Sequence, residues 1–241
     1  MARSVLGIIP ARGGSKSIPG KNIKSFVGRP LIAWVIGALR ESKICDRVIV
    51  STDDEAIAEV AKKYGAEVPF MRPAELAQDD TPTLPVLRHA VLWLKEHEGY
   101  EPSVMVLAQA TSPGVEPKHF QEGMEMFLET GADSVVSVVP VPAQYNPHWQ
   151  FFADAEGRMT LATGERTENV IGRRQDLPRS FIRNSAFYIF KPELLFGPDP
   201  SFYGDDVRGY VMDEKHSSDI DTPEDWVRAE QAFEELKNHG K

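Results

Sequence analysis

Val5-Leu6-Gly7-Ile8-Ile9, followed by Leu31-Ile32-Ala33-Trp34-Val35-Ile36-Gly37-Ala38-Leu39 and then Arg47-Val48-Ile49-Val50-Ser51, is the stretch that decides the fold. The first and last pieces are short apolar runs of strand length. Between them Leu31, Trp34, Val35, Ala38 and Leu39 recur with helical spacing. A strand, a helix and a second strand, with strands apolar along their whole length, predict a parallel pair buried on both faces. The pattern repeats outward. Asp54 to Tyr64 carries Ala, Ile and Val on one helical face and stops at Gly65, and Leu84 to His97 reads as a second long helix. Ser103 to Leu107 is a strand, Pro117 to Glu129 a helix, and Ser134 to Val139 a β-branched strand. Ala186 to Phe190 returns as a strand. Thr222-Pro223-Glu224-Asp225 opens a last helix to about Leu236, with a Thr N-cap, Pro at N1 and acids in the first turn. The prediction is an α/β three-layer sandwich around a mostly parallel, Rossmann-like sheet. Residues 140–185, rich in Pro, aromatics and Arg, read as a small inserted arm within one domain spanning 1–241.

Composition narrows the function. The chain has 241 residues, 41% hydrophobic and 26% charged, which suits one large domain and excludes disorder. Its formal net charge of −9 argues against a nucleic-acid or anionic-membrane partner. Met1-Ala2-Arg3-Ser4 leads into too short an apolar run for a signal peptide, and no run is long enough to span a bilayer. The single cysteine, Cys45, excludes an internal disulfide. A cytoplasmic protein with a small-molecule or protein partner is expected. The charge is uneven, however: residues 1–40 hold seven basic side chains and no acid.

Several of those bases fall in Ile9-Pro10-Ala11-Arg12-Gly13-Gly14-Ser15-Lys16-Ser17-Ile18-Pro19-Gly20-Lys21-Asn22, leaving the carboxyl end of the first strand, where open α/β sheets bind ligands. Gly13 and Gly14 permit a tight turn with converging N–H groups, and Arg12, Lys16 and Lys21 can add positive charge. That combination suits a triphosphate. A polar loop with solvated lysines is the plainer alternative. Walker A is excluded: Ser15 precedes Lys16, and Gly20-Lys21 lies one residue too far from Gly14 and is followed by Asn22. The Gly-x-Gly-x-x-Gly fingerprint is absent.

Ile9 to Asn22 resembles the signature of the acylneuraminate cytidylyltransferases, the CMP-sialic acid synthetases and their bacterial nonulosonate relatives, at every fixed position of I-P-A-R-x-G-S-K-x-x-x-x-K-N. The octulosonate cytidylyltransferases share only its opening. The resemblance continues along nearly the whole chain. Ser51-Thr52-Asp53-Asp54 follows the second strand, where Thr52 or Asp53 also reads as a helix N-cap. Arg72-Pro73 and Asp79-Asp80-Thr81 come next; the resemblance implies that Arg72, with Ser15 and Asn22, borders the nucleotide. Gln109-Ala110-Thr111-Ser112-Pro113 corresponds to Gln-Pro-Thr-Ser-Pro-Leu-Arg, which implies that Gln109 binds the acceptor sugar. Ala110 replaces Pro and Gly114-Val115 replace Leu-Arg. Arg174-Gln175-Asp176-Leu177-Pro178 and Asn184-Ser185-Ala186-Phe187-Tyr188 match two more stations, with Ser185 in place of Gly. They imply that Arg174 and Asn184 hold the acceptor, although Arg174 also reads as a solvated loop arginine.

Asp219-Ile220-Asp221 places two carboxylates on one side of an extended segment with Ile220 facing the core. Asp221 alone could support the following helix; the resemblance implies that both are ligands of Mg²⁺ (or Mn²⁺). His216 reads as a surface histidine, the six histidines show no metal spacing, and Trp34 and Trp93 occupy core-like positions. The family's chemistry is attack of a 2-keto sugar acid on the α-phosphate of CTP, giving CMP-sugar and pyrophosphate. Arg12, Lys16 and Lys21 would be the catalytic cations, and Gly13 and Gly14 part of the nucleotide loop. A homodimer through residues 140–185 is expected. A transferase using another nucleotide or acid, or a non-catalytic nucleotide-binding module, are the alternatives.

Overall fold

The computed structural model describes residues 3–239. Its strands are β1 (Val5–Pro10), β2 (Ser25–Phe26), β3 (Arg29–Pro30), β4 (Arg47–Ser51), β5 (Val104–Ala108), β6 (Ser134–Pro140), β7 (Phe151–Ala153), β8 (Met159–Leu161), β9 (Phe181–Phe190) and β10 (Val207–Val211). The α-helices are α1 (Leu31–Glu41), α2 (Glu55–Lys63), α3 (Thr83–Glu98), α4 (Pro117–Thr130) and α5 (Pro223–His239). Six strands form the central sheet in the order β10-β6-β9-β5-β1-β4. β4, β1 and β5 run parallel, as do β6 and β10, while β9 lies antiparallel between β5 and β6. The expected α/β sandwich is therefore present.

The continuous apolar strands explain the three layers. Val5 and Ile9 of β1, with Val104, Val106 and Ala108 of β5, face a core shared with α1, α2 and α4. Leu6, Ile8, Met105 and Leu107 alternate to the other face, under Leu87, Ala90, Val91 and Leu94 of α3. A third, smaller core joins Ile18, Phe26, Leu31, Ile220, Trp226 and Ala229, so the terminal helix packs on the basic loop rather than on the sheet.

Three features depart from the sequence reading. β10 was not expected: it is an edge strand, exposed except at Tyr210, and its central Gly209 supplies no apolar signal. β9 starts at Phe181, five residues early, because Phe181, Ile182 and Arg183 pair with the end of β6 beyond a register shift between Val136 and Val138. Asp54, not Thr52 or Asp53, caps α2 by accepting the Ile57 N–H at 3.0 Å. Thr52 instead accepts the Asp54 N–H. Residues 141–180 contain the β7–β8 hairpin and short 3₁₀ turns, with Asn146 tying the segment together through Pro178 O and Ser180 Oγ.

Candidate functional site

The carboxyl ends of β1, β4, β5, β6 and β10 and the start of β9 share one edge of the sheet, and nearly all the singled-out residues lie there. The loop after β1 runs from Ala11, whose N–H still bonds Ser51 O, to a 3₁₀ turn at Lys21–Ile23. Asn22 is buried and donates to Arg12 O at 3.0 Å, which closes the loop on itself. Its place is therefore that of a strap. The glycines work differently from the expectation. Neither Gly13 nor Gly14 has positive φ; the left-handed residue is Gly20, at φ 63°. Gly13 is required by a close approach, since a Cβ there would lie 2.5 Å from Asp54 Oδ2. Its N–H is already taken by Asp53 Oδ1 at 3.1 Å.

Arg12, Ser15, Lys16, Ser17, Lys21 and Asp221 surround a cavity of about 170 Å³. Two of its cations hold an acidic partner that the sequence reading left open. Asp79 meets Arg12 Nη1 at 3.0 Å and is also paired with Lys16. Those cations hold the Asp79 carboxyl below its ordinary value, Lys16 most strongly. The third, Lys21, has only 12% of its side chain exposed and donates to Ile220 O at 2.7 Å and Asp221 Oδ1 at 2.9 Å. Arg72 is buried, donating through Nε to Ser51 Oγ at 3.1 Å and through Nη2 to Ser51 O. Burial pushes its pKa down to about 10, against the nearby Asp53 charge. Asp53 is a functional candidate that the sequence reading treated as a cap.

The aspartate pair has the predicted alternation: Ile220 is fully buried, and Asp219 and Asp221 are exposed. Asp221 does not cap the helix. That work falls to Thr222 and Asp225, whose side chains accept each other's backbone N–H at 3.2 and 2.9 Å. Asp219 keeps solvent-facing surface, but neighbouring atoms crowd its carboxyl. This desolvation raises its pKa despite a hydrogen bond with Thr111, and the Asp221 charge adds to the rise. Two hard carboxylates, one of them partly desolvated beside a like charge, suit an octahedral divalent cation that keeps several waters.

Gln109 and Asn184 are brought onto neighbouring strands, Gln109 N donating to Ala186 O at 3.1 Å. Asn184 is buried, and its amide donates to Met212 Sδ at 3.2 Å, a weak acceptor. Ser185, in place of the expected glycine, keeps a left-handed backbone at φ 61°. Arg174 is not gathered with these two. It lines a separate cavity of about 270 Å³ inside the arm, beside Arg179, Pro178 and Asn146. His216 is a correction: it is 4% exposed, not a surface residue. The fold also brings it to Glu116 and His119, with one donor atom from each within 4.8 Å of the others, a grouping that no sequence spacing reveals.

With this geometry in view, a family model described as cytidylyltransferase matches residues 6–148, from β1 through the end of β6 into the arm. The chain belongs to the cytidylyltransferase family. It is accordingly a nucleotidyltransferase enzyme. Among its relatives, N-acylneuraminate cytidylyltransferase A of Danio rerio is 38% identical over 242 residues, covering 100% of this chain and 53% of the relative. The chain thus spans about half the length of that vertebrate protein. CMP-N,N'-diacetyllegionaminic acid synthase of Legionella pneumophila is 32% identical, covering 95% of this chain and 96% of its own. Among solved structures, a CMP:2-keto-3-deoxy-manno-octonic acid synthetase complexed with CTP superposes with a TM-score of 0.70 at 16% identity, over 97% of this cytidylyltransferase and 99% of that chain. At that identity it shows the fold alone. Among the described residues of this cytidylyltransferase, no helix is long and apolar enough to cross a membrane.

Proposed function

We propose that this cytidylyltransferase is a CMP-nonulosonate synthetase, coupling CTP to a 2-keto sugar acid of the sialic-acid type with release of pyrophosphate. The observation that carries the reading is the Lys21–Asp221 contact, which joins a basic cavity to a carboxylate pair at one edge of the sheet. The names of the Danio and Legionella relatives support a nonulosonate acceptor.

In the reaction the anomeric hydroxyl gives up its proton to water as its oxygen bonds the α-phosphorus; the bond to the bridging oxygen breaks, and pyrophosphate leaves with that electron pair. Little covalent chemistry falls to the protein; positioning and charge neutralisation carry the catalysis. Arg12, Lys16 and Lys21 hold the triphosphate and neutralise the charge growing on pyrophosphate. Gly13, Gly14 and Ser15 line its path, Asn22 keeps the loop closed, and Arg72 borders the nucleotide. Gln109 and Asn184 face the acceptor, the Asn184 amide exchanging the Met212 sulfur for a sugar oxygen. Asp219 and Asp221 would hold Mg²⁺ or Mn²⁺, which would neutralise phosphate oxygens and acidify the attacking hydroxyl.

Arg174, which lines the arm cavity without Gln109, fits an arm that pairs two copies of the protein. Phe151, Phe152, Met159 and Ile182 support this: they are 40–67% exposed on the arm and its base. The proposed enzyme is a cytoplasmic homodimer with no nucleic-acid or membrane partner. A second reading, another nucleotide or acid acceptor on the same fold, is favoured by the Ala110 and Gly114-Val115 departures in the loop after β5. Pyrophosphate release measured across nucleotides and sugar acids separates the two.

A further inference from the structure

Two segments meet at the carboxyl edge of the sheet: residues 109–117 after β5, and residues 213–221 before α5. Ile220 N donates to Thr111 O at 3.0 Å, and the Thr111 side chain lies beside the Asp219 carboxyl and favours its ionised form. A third contact lies deeper. His216 Nδ1 is 3.1 Å from Gly114 O, and a carbonyl only accepts, so Nδ1 carries the hydrogen. The approach is close enough to demand glycine: a Cβ at Gly114 would lie 2.7 Å from His216 O, a backbone atom that cannot swing aside. The glycine departs from the Leu of the signature, and His216 occupies the room it leaves. His119 packs edge-to-face on His216 with ring centroids 4.8 Å apart. Its Nδ1 accepts the Glu116 N–H at 3.0 Å, fixing the start of α4 to the same cluster.

The three side chains do not make a metal centre. With Nδ1 of His119 acting as acceptor, its neutral ring carries hydrogen on Nε2. His216 carries hydrogen on Nδ1. The lone pairs left are His216 Nε2 and the Glu116 carboxylate, and Glu116 is paired with Lys118 at 2.7 Å. Two donors fall short of the three or four protein ligands of a zinc site.

We propose that His216 is a positioning residue: by gripping the Gly114 backbone it sets the Asp219–Asp221 segment against the acceptor loop and so tunes metal affinity. This rests on the reading of Asp219 and Asp221 as metal ligands. The test is Mn²⁺ binding to the purified protein by electron paramagnetic resonance, together with the Mg²⁺ half-saturation and CTP KM for pyrophosphate release. Removing a group that orients metal ligands costs about 10-fold in metal affinity. His216→Ala is expected to weaken Mn²⁺ binding and raise the Mg²⁺ half-saturation by about that factor, with the CTP KM moved less than about twofold. His216→Asn, whose amide can still donate to Gly114 O, recovers most of the loss. Gly114→Ala reproduces the defect from the other side, and the double variant is no worse than either single one. Unchanged Mn²⁺ binding in both His216→Ala and Gly114→Ala, failure of the Asn variant to recover it, or additive losses overturns the proposal. If His216→Ala does not fold, the Gly114→Ala and His216→Asn measurements decide. Asp219→Asn and Asp221→Asn separate the two levels. If they keep wild-type Mn²⁺ binding, the metal reading fails. If they lose it while His216→Ala and Gly114→Ala keep it, the positioning proposal alone fails.

Discussion

Lys21 and Asp221, 200 residues apart in the chain, form an ion pair at 2.9 Å, and the same ammonium bonds Ile220 O at 2.7 Å. One lysine therefore fastens the basic loop to the segment carrying the carboxylates, with Ile18 and Ile220 sharing the small core beneath. Breaking this contact from either side should be costly. Asp221→Ala is expected to keep the fold, since Thr222 and Asp225 cap α5 without it, yet to lower Mg²⁺-dependent pyrophosphate release by about 10²-fold or more. Lys21→Gln should lose a similar factor. Circular dichroism alongside the rate measurement checks both, and retained activity in Asp221→Ala would remove the metal assignment.

Asp79 holds two of the cations that the triphosphate would need. A phosphate group must compete with it for Arg12 and Lys16. Asp79→Asn is therefore expected to tighten CTP binding about two- to fivefold, the modest scale of an exposed ion pair. Calorimetric titration at low and high salt reads it. The gain shrinks as salt screens the wild-type pair. Weaker binding in the variant would mean that Asp79 serves the nucleotide rather than opposing it.

Ser185 stores backbone strain in the middle of β9, where the pairing with β6 shifts register, with φ 61° on a residue that has a Cβ. Ser185→Gly relieves it. Stability should rise by about 0.5–1 kcal/mol, the left-handed penalty less the extra entropy of a glycine. A higher urea midpoint at unchanged slope is the expected observation. A lower midpoint would show that the serine side chain contributes more than its backbone costs.

The arm offers a separate check. Phe152, 67% exposed, stands opposite Thr160 on the β7–β8 hairpin. Light scattering should give twice the 26.9 kDa chain mass, and Phe152→Glu should shift it toward one. A monomeric wild-type protein would contradict the paired-arm reading and leave Arg174 without an acceptor to meet.

The βαβ start and the layer order were legible because β1, β4 and β5 are apolar on both faces, which only a sheet covered twice can bury. The Asp219–Ile220–Asp221 alternation was legible for the same reason, a two-residue period with one apolar member. What escaped the sequence depends on approaches between distant segments. Gly13 looked like a phosphate nest, but its smallness answers to Asp54. Gly114 looked like a lost leucine of the signature loop, but it answers to His216. Asp53 and Asp79 resembled cap and loop acids, and only the fold turns them toward Gly13 and Arg12. β10 escaped because an exposed edge strand with a central glycine carries no hydrophobic period.

The central claim is the pairing of CTP with a nonulosonate. Pyrophosphate release should be measured with CTP, GTP, UTP and ATP, each against sialic, legionaminic, pseudaminic and other 2-keto sugar acids, with and without Mg²⁺. The account predicts release only where CTP, Mg²⁺ and at least one nine-carbon acid are present together. Release with another nucleotide and not CTP, or tight CTP binding with no turnover on any acid, would contradict it.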